Sequence, residues 1–262
     1  MSAKGSRLAG LLLPPAIGLL VLLAAFELVA RLFFAREAYL LPPPSAIAKA
    51  AWQERALLAS ATLSTGRAAA LGFVASGALG VLFAIVLASS RLLERALYPY
   101  AIALQTVPIV AIAPLLVVWL GVGPKSVVAS AFIVSVFPVV TNTLAGIRAV
   151  DPALRDLFRL YGARRFAVLT KLELPHATPS VAVGLRVAAG LAVIGAIVGE
   201  LVAGFAEHDP GLGIVVMTAY RQLRTDLLFA AVACSAALGI ALFSIVSLGA
   251  WLWLRRWYSG AR

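Results

Sequence analysis

The sequence of 262 residues contains a single cysteine, Cys234. It lies in an apolar run, so no internal disulfide and no cysteine-based metal site can form. Histidine is nearly as scarce: His176 and His208 are the only two, and they lie far apart, which argues against a zinc enzyme. Charge is also in short supply. Only 13% of residues are Asp, Glu, Lys or Arg, about half the fraction of a soluble domain. No G-x4-G-K-[ST] phosphate loop is present, so the chain is expected to bind no ATP and no cofactor or metal of its own. No repeat of solenoid period and no low-complexity linker is visible.

What fills the chain instead is apolar surface: 62% of residues are hydrophobic and the mean hydropathy is +1.00. Six apolar segments stand out, at about 8–30, 67–88, 97–120, 126–147, 180–203 and 227–254. Crossing a bilayer takes roughly 20 residues of helix. A membrane barrel would show short alternating segments instead of continuous runs. The expectation is an all-α protein with about six transmembrane helices, built as one domain over residues 1–262. Lys4 and Arg7 before the first run look like a signal peptide, but the run extends to about Ala30 with no small-x-small site after it. It reads as a retained first span.

The net charge is +11. In a soluble protein this would suggest nucleic acid; here the basic residues flank spans and set orientation. Six spans put both termini on one side. Assigning that side to the cytoplasm places thirteen of the 22 basic residues there and eight outside. The outer loop after the first span holds Pro42, Pro43 and Pro44, with Ser45 placed to cap a short helix along the membrane surface. Spans three and four are joined by the Gly121–Lys125 turn, which predicts a tight antiparallel hairpin.

One polar, cationic stretch interrupts the apolar pattern: Asp151 to Pro175, within a loop over 148–178. Asp151-Pro152 is a helix start, since the Asp side chain accepts from free N–H groups and Pro loses nothing at the first position. Leu154, Leu157, Phe158 and Tyr161 recur at helical spacing and form an apolar stripe, with Arg155, Asp156 and Arg159 off it. Gly162 can stop the helix in a left-handed conformation. A second short helix is expected from Ala163 to about Leu172, ended by Pro175. Two readings of the amphipathic pair stand: it lies on lipid head groups, or it inserts its stripe into a groove on a soluble partner.

The run from Gly162 through Leu172, Leu174 and Pro175 resembles the cytoplasmic loop signature of bacterial ABC-importer permeases, E-A-A-x3-G-x9-I-x-L-P. Asp156, Leu157 and Phe158 stand where that motif has E-A-A. Further matches follow in order: Leu41 to Ser45, Gln105 to Ile109, Trp119 to Gly123, Asn142 to Gly146, Gly184 to Arg186 and Thr225 to Leu227. Together they resemble the nitrate/sulfonate/taurine-type permeases of binding-protein-dependent importers. The resemblance implies a multi-pass protein of the bacterial inner membrane. It implies a second permease copy as a homodimer, two ATP-binding subunits that carry ATP and Mg, an extracytoplasmic substrate-binding protein, membrane lipid as solvent and no nucleic acid. The loop residues Leu154, Asp156, Leu157, Phe158, Tyr161, Gly162, Leu172, Leu174 and Pro175 would then couple the permease to its ATPase. The cargo would be a small nitrate-, sulfonate- or taurine-like solute, or a vitamin-related one such as riboflavin or a thiamine-pyrimidine precursor.

Several residues inside the spans are candidates for the pathway. Gln105 and Thr106 precede Pro108, and Pro138 lies close to Asn142. Prolines free backbone carbonyls that polar side chains can satisfy; hydrogen bonds between helices are the plainer alternative. Arg186 lies six residues into span five, roughly 9 Å deep. It snorkels to head groups, packs between spans, or attracts an anion. Glu200 reads equally as an interface carboxylate and as a pore or gate residue, and Glu27 as an interface residue. Gly195 and Gly199 have G-x3-G spacing, which allows close helix approach within the subunit or across a dimer. His208 to Gly213 reads as an outer turn. An intramembrane enzyme would need catalytic groups clustered at one depth, whereas Arg186 and Glu200 lie roughly 21 Å apart along one helix. A membrane scaffold would leave the spacing around Gly162 unexplained.

Overall fold

The first helix, α1, runs from Ala3 to Phe33. A short α2 (Pro44–Gln53) follows, and a single residue, Glu54, separates it from α3 (Arg55–Ser89). The computed structural model describes residues 3–34, 39–203 and 210–258; Gly204, His208 and Asp209 lie outside them. Every regular element among the described residues is helical. Among the described residues, four helices are long and apolar enough to cross a bilayer: Arg55–Ser89, Pro124–Arg148, Arg165–Ala203 and Thr225–Arg255. Ile109–Leu120 and Leu212–Arg221 are shorter apolar helices.

The chain falls into two compact units, Met1–Ala59 with Val215–Ala233, and Ser60–Ile214 with Cys234–Arg262. It passes between them within helices, so no linker marks the division in the sequence. In the first unit, Ser45 does not cap α2. The cap position is Pro43, whose side chain has no hydrogen-bonding group to offer, and Ser45 lies inside the first turn. Glu27 of α1 takes the role: it accepts from the Ser45 N–H at 3.0 Å and the Ser45 hydroxyl at 2.8 Å, and Arg31 donates to it at 2.6 Å. A carboxylate at a helix N-terminus satisfies free donors and complements the helix dipole. Phe26 meets Phe229 with ring centroids 6.5 Å apart, and Arg224 pairs with Glu54 at 3.0 Å.

In the second unit the expected third span is not one helix. It is α4 (Arg91–Thr106) and α5 (Ile109–Leu120), broken at Val107-Pro108. Pro108 is extended, with ψ 126°, and a proline holds the residue before it out of the helical region. The turn after α5 matches expectation. Gly121 and Gly123 take φ of +82° and +128°, which side chains disfavour, and Pro124 opens α6 (Pro124–Arg148).

α6 packs along α9 (Leu174–Ala203), and both are lined with small residues. A methyl group on Gly195 would lie 2.7 Å from the Ser130 carbonyl, and one on Gly184 2.8 Å from that of Pro138. The G-x3-G pair therefore acts inside the chain: Gly199 likewise faces Ser130. Two buried clusters flank this seam. One gathers Leu87 of α3, Val140, Leu144 and Ile147 of α6, and Ala177 of α9. The other gathers Ala69, Val127, Ala131, Val193 and Ala196.

Overpacking of a tight seam costs about 1–3 kcal/mol. Gly195→Val is therefore expected to lower the thermal unfolding midpoint of the detergent-purified protein by several degrees. Gly190→Val, where a side chain would meet nothing within 4 Å, is the matched control and should change it little. Equal effects would contradict the seam.

Candidate coupling surface and solute cavity

After α6 the chain builds α7 (Pro152–Leu160) as the sequence predicts. Asp151 accepts from the Ala153 N–H at 2.9 Å, Pro152 takes the first position, and Gly162 closes the turn with φ +71°. Next come α8 (Arg165–Val168), which starts two residues later than expected, and a wide π-helical turn over Leu169–Glu173. Pro175 does not end a helix here. It is the second residue of α9, and the helical run continues through it from Arg165 to Ala203. Proline is tolerated in a first turn, where its missing N–H has no partner to lose, and the π turn shifts the bonding register just before it.

No residue of α7 is buried. Its outward face carries Leu154, Leu157 and Leu160, with Tyr161 just after, and Leu160 and Tyr161 are each 84% exposed. Phe166 extends this apolar surface. Leu160 and Phe166 are additions to the predicted stripe; Leu160 follows Leu157 at helical spacing, so periodicity could have found it. Phe158 is half-buried, as are Leu172, Leu174 and Pro175. Leu174 packs on the core beside Leu144 and Ala177. Asp156 makes an exposed pair with Arg159 at 3.2 Å.

Arg155, off the apolar stripe, has a role that the pattern does not reveal. It donates to the Ile147 carbonyl at 2.6 Å and to Glu173 at 2.8 Å. Ile147 is in the last turn of α6, and Glu173 directly precedes α9. One guanidinium therefore ties α7 to both helices of the seam. The carbonyls at a helix C-terminus lack partners, and a cation is favoured there.

The α4–α5 break forms a cavity of about 320 Å3. Gln105, Thr106 and Pro108 line it together with Ile112, Phe137 and Pro138. Thr106 turns its hydroxyl back to the Ala103 carbonyl at 2.7 Å. Pro138 cannot donate to the carbonyl of Val134, another lining residue, so that acceptor loses its usual helical partner. Among the described residues, no charged side chain lines the cavity. Asn142 is not in its wall: its amide donates to the Pro138 carbonyl at 2.8 Å. Arg186 is not there either. Its Nε is buried with no hydrogen-bond partner among the described residues.

Glu200 is 4% exposed and does not line that cavity; it borders another of about 380 Å3 together with Arg67 and Gly211. Its Oε2 accepts from the Thr65 hydroxyl at 3.0 Å and the Gly213 N–H at 2.8 Å. The Leu212 N–H in turn donates to the Thr65 oxygen at 2.8 Å. Gly211 and Gly213 are required by contact, because a methyl group on Gly211 would lie 2.1 Å from the carboxylate. The carboxylate thus pins the start of α10 (Leu212–Arg221) to α3 and α9. Thr65 and the two glycines were missed as partners, since 135 residues separate Thr65 from Glu200.

Leaving buried donors without an acceptor costs about 1–3 kcal/mol. Glu200→Ala is expected to lower the unfolding midpoint clearly, while Glu200→Gln, which keeps one carbonyl oxygen for both donors, should stay near the parent. Equal losses in the two variants, read by thermal unfolding in detergent, would contradict the geometry.

Residues 77–257 match the family described as "Binding-protein-dependent transport system inner membrane component". A riboflavin transport system permease protein of Chloroflexus aurantiacus is 36% identical over 239 residues, covering 89% of this chain and 88% of the relative. A formylaminopyrimidine transport permease protein of Halalkalibacterium halodurans is 32% identical, covering 89% and 92%. A putative aliphatic sulfonates transport permease protein of Escherichia coli is 32% identical, covering 82% and 81%. The fold is similar to a chain in the crystal structure of an amino acid ABC transporter with histidines. The TM-score is 0.55 at 21% identity, covering 78% of this chain and 95% of that one. With a family match over residues 77–257 and relatives above 30% identity along most of its length, this chain is a multi-pass inner-membrane permease of the binding-protein-dependent ABC importer family.

Proposed function

We propose that the outward face of α7 is the surface through which this permease is driven by a separate ATPase. The observation that carries this is the exposure of Leu157, Leu160 and Tyr161 on a helix fixed from behind by Arg155. An amphipathic helix with a free apolar face fits a groove on a soluble partner. In this reading ATP and Mg reside on two partner subunits, and ATP binding draws them together. Each α7 moves with its subunit, and Arg155 passes the movement to α6 and α9. Two permease copies form the pathway, a substrate-binding protein delivers cargo from outside, and both termini lie in the cytoplasm.

We further propose that the cargo is an organic solute of the vitamin-related kind instead of a small inorganic anion. The cavity wall combines apolar side chains with Gln105 and Thr106 and, among the described residues, offers no cation. Such a wall suits an uncharged or heteroaromatic body read by a few hydrogen bonds. The relatives named for riboflavin and formylaminopyrimidine support this reading.

Removing central apolar anchors from a docking surface costs about 2 kcal/mol or more. The double variant Leu160→Asp, Tyr161→Asp is expected to lose ATPase co-purification and to reduce ATP-driven uptake at least about tenfold, with unchanged thermal unfolding. Full ATPase assembly and uptake in this variant would refute the coupling surface. For the cargo, Gln105→Ala should weaken uptake of a riboflavin-like or pyrimidine solute, and nitrate should not compete with it. Competition by nitrate would refute the organic reading.

A further inference from the structure

A second polar feature lies beside the coupling helix and serves neither the α7 face nor the solute cavity. A cavity of about 560 Å3 is lined by Arg91, Arg148, Arg155, Arg159 and Arg165, with Glu173 as its one acidic lining residue. A neighbouring cavity of about 450 Å3 shares Arg91 and Arg148 and adds Arg95. Carboxylates answer part of this charge. Arg148 pairs with Glu94, Arg155 with Glu173, and Arg159 with Asp156. Arg91 and Arg165 have no ion pair among the described residues. Arg165 donates to the Ala88 carbonyl at 3.2 Å, and the Arg148 Nε is buried with no hydrogen-bond partner among the described residues. Like charges held this close repel one another, and an anion between them relieves the repulsion.

The position of this cluster indicates which anion. Arg91 opens α4, Arg148 closes α6, and Arg165 reaches the last turn of α3. These are helix ends, where a bilayer presents its head groups. On the apolar side of the same three helices lies a groove of about 590 Å3. Leu82 and Val86 of α3, Leu97 and Tyr100 of α4, and Val136 and Val140 of α6 line it. Val86 is one helical turn from Ser90 of the arginine cavity, and Leu97 is about 9 Å along the axis from Arg91 at 1.5 Å per residue. An apolar groove leading into an arginine cluster is the two-part shape of an amphiphile with a negative head.

We propose that this composite site binds an anionic phospholipid, with its phosphate among Arg91, Arg148 and Arg165 and an acyl chain along the groove. Basic pockets between membrane helices bind such head groups. Arginine suits the task because its planar fork meets phosphate oxygens in pairs. The uncompensated positive charge selects lipids with net negative charge over zwitterionic ones. The groove selects a lipid over free phosphate. The proposal needs only the membrane location of the chain and does not depend on the ATPase assignment.

The test uses the full chain purified in neutral detergent. It is titrated with phosphatidylglycerol or phosphatidylcholine, and retained lipid is counted by native mass spectrometry. Phosphatidylglycerol should be retained at least about tenfold more strongly, and millimolar inorganic phosphate should not displace it. Arg91 is exposed and its side chain makes no hydrogen bond among the described residues, so its replacement leaves the fold in place. Arg91→Gln should reduce the preference severalfold, Arg91→Lys should largely keep it, and Leu82→Gln should weaken retention of both lipids. Arg255→Gln, outside the site, should change nothing. Equal retention of the two lipids, displacement by inorganic phosphate, or an Arg91→Gln variant identical to Arg255→Gln would each overturn the proposal.

Discussion

α6 and α9 run against each other at backbone distance because their contact surface is made of glycine, alanine and serine. In lipid there is no hydrophobic drive between helices, since acyl chains are as apolar as leucine. What holds a pair together is dispersion between closely fitted surfaces and a few polar contacts. Gly184, Gly195 and Gly199 allow that fit, and Ala131, Ala188, Ala189 and Ala196 keep the seam thin. Large side chains in these places would separate the helices and remove the contact altogether.

The remaining parts are referred to this seam. At one end, Arg155 binds the last turn of α6 and the residue before α9, so α7 follows both helices. At the far end of α9, Glu200 fixes the start of α10 and the upper part of α3. Pro138, in the middle of α6, contributes to the wall of the cavity at the α4–α5 break while its own carbonyl faces Gly184. A displacement applied at α7 therefore enters the pair of helices that border the cavity. Leu160 and Tyr161 stay exposed because α7 turns Arg155 and Phe158 towards the rest of the chain. Leu157, Leu160 and Tyr161 are thereby left as an exposed apolar surface.

Local signals were legible in the sequence where the physics is local. Asp151-Pro152 and Gly162 specify the ends of α7 through capping and a left-handed turn, and both stand where the pattern places them. The six apolar runs identify a helical membrane protein by length alone. Proline was ambiguous. Pro99, Pro114 and Pro138 sit inside helices, while Pro108 breaks one, and nothing adjacent in the sequence separates the cases. Pro175 was misread as a stop because a π turn ahead of it absorbs the lost bond. The partners of Glu200 and Arg155 were not legible, since a carboxylate and a guanidinium at isolated positions carry no record of which distant helix they meet. Ser45 shows the same limit: its type suits a cap, but the carboxylate of Glu27 from the preceding helix does that work.

The central claim is that α7 is mechanically tied to α6 and α9 through Arg155. Its most direct measurement is the number of solute molecules imported per ATP hydrolysed, in vesicles containing the full transporter, for the parent and for Arg155→Ala. The outward face of α7 is untouched by this change, so the ATPase should still assemble and hydrolyse ATP. Loss of a charge-assisted contact worth about 1.5–3 kcal/mol predicts a drop of about tenfold or more in solute per ATP. An unchanged ratio with normal assembly would contradict it.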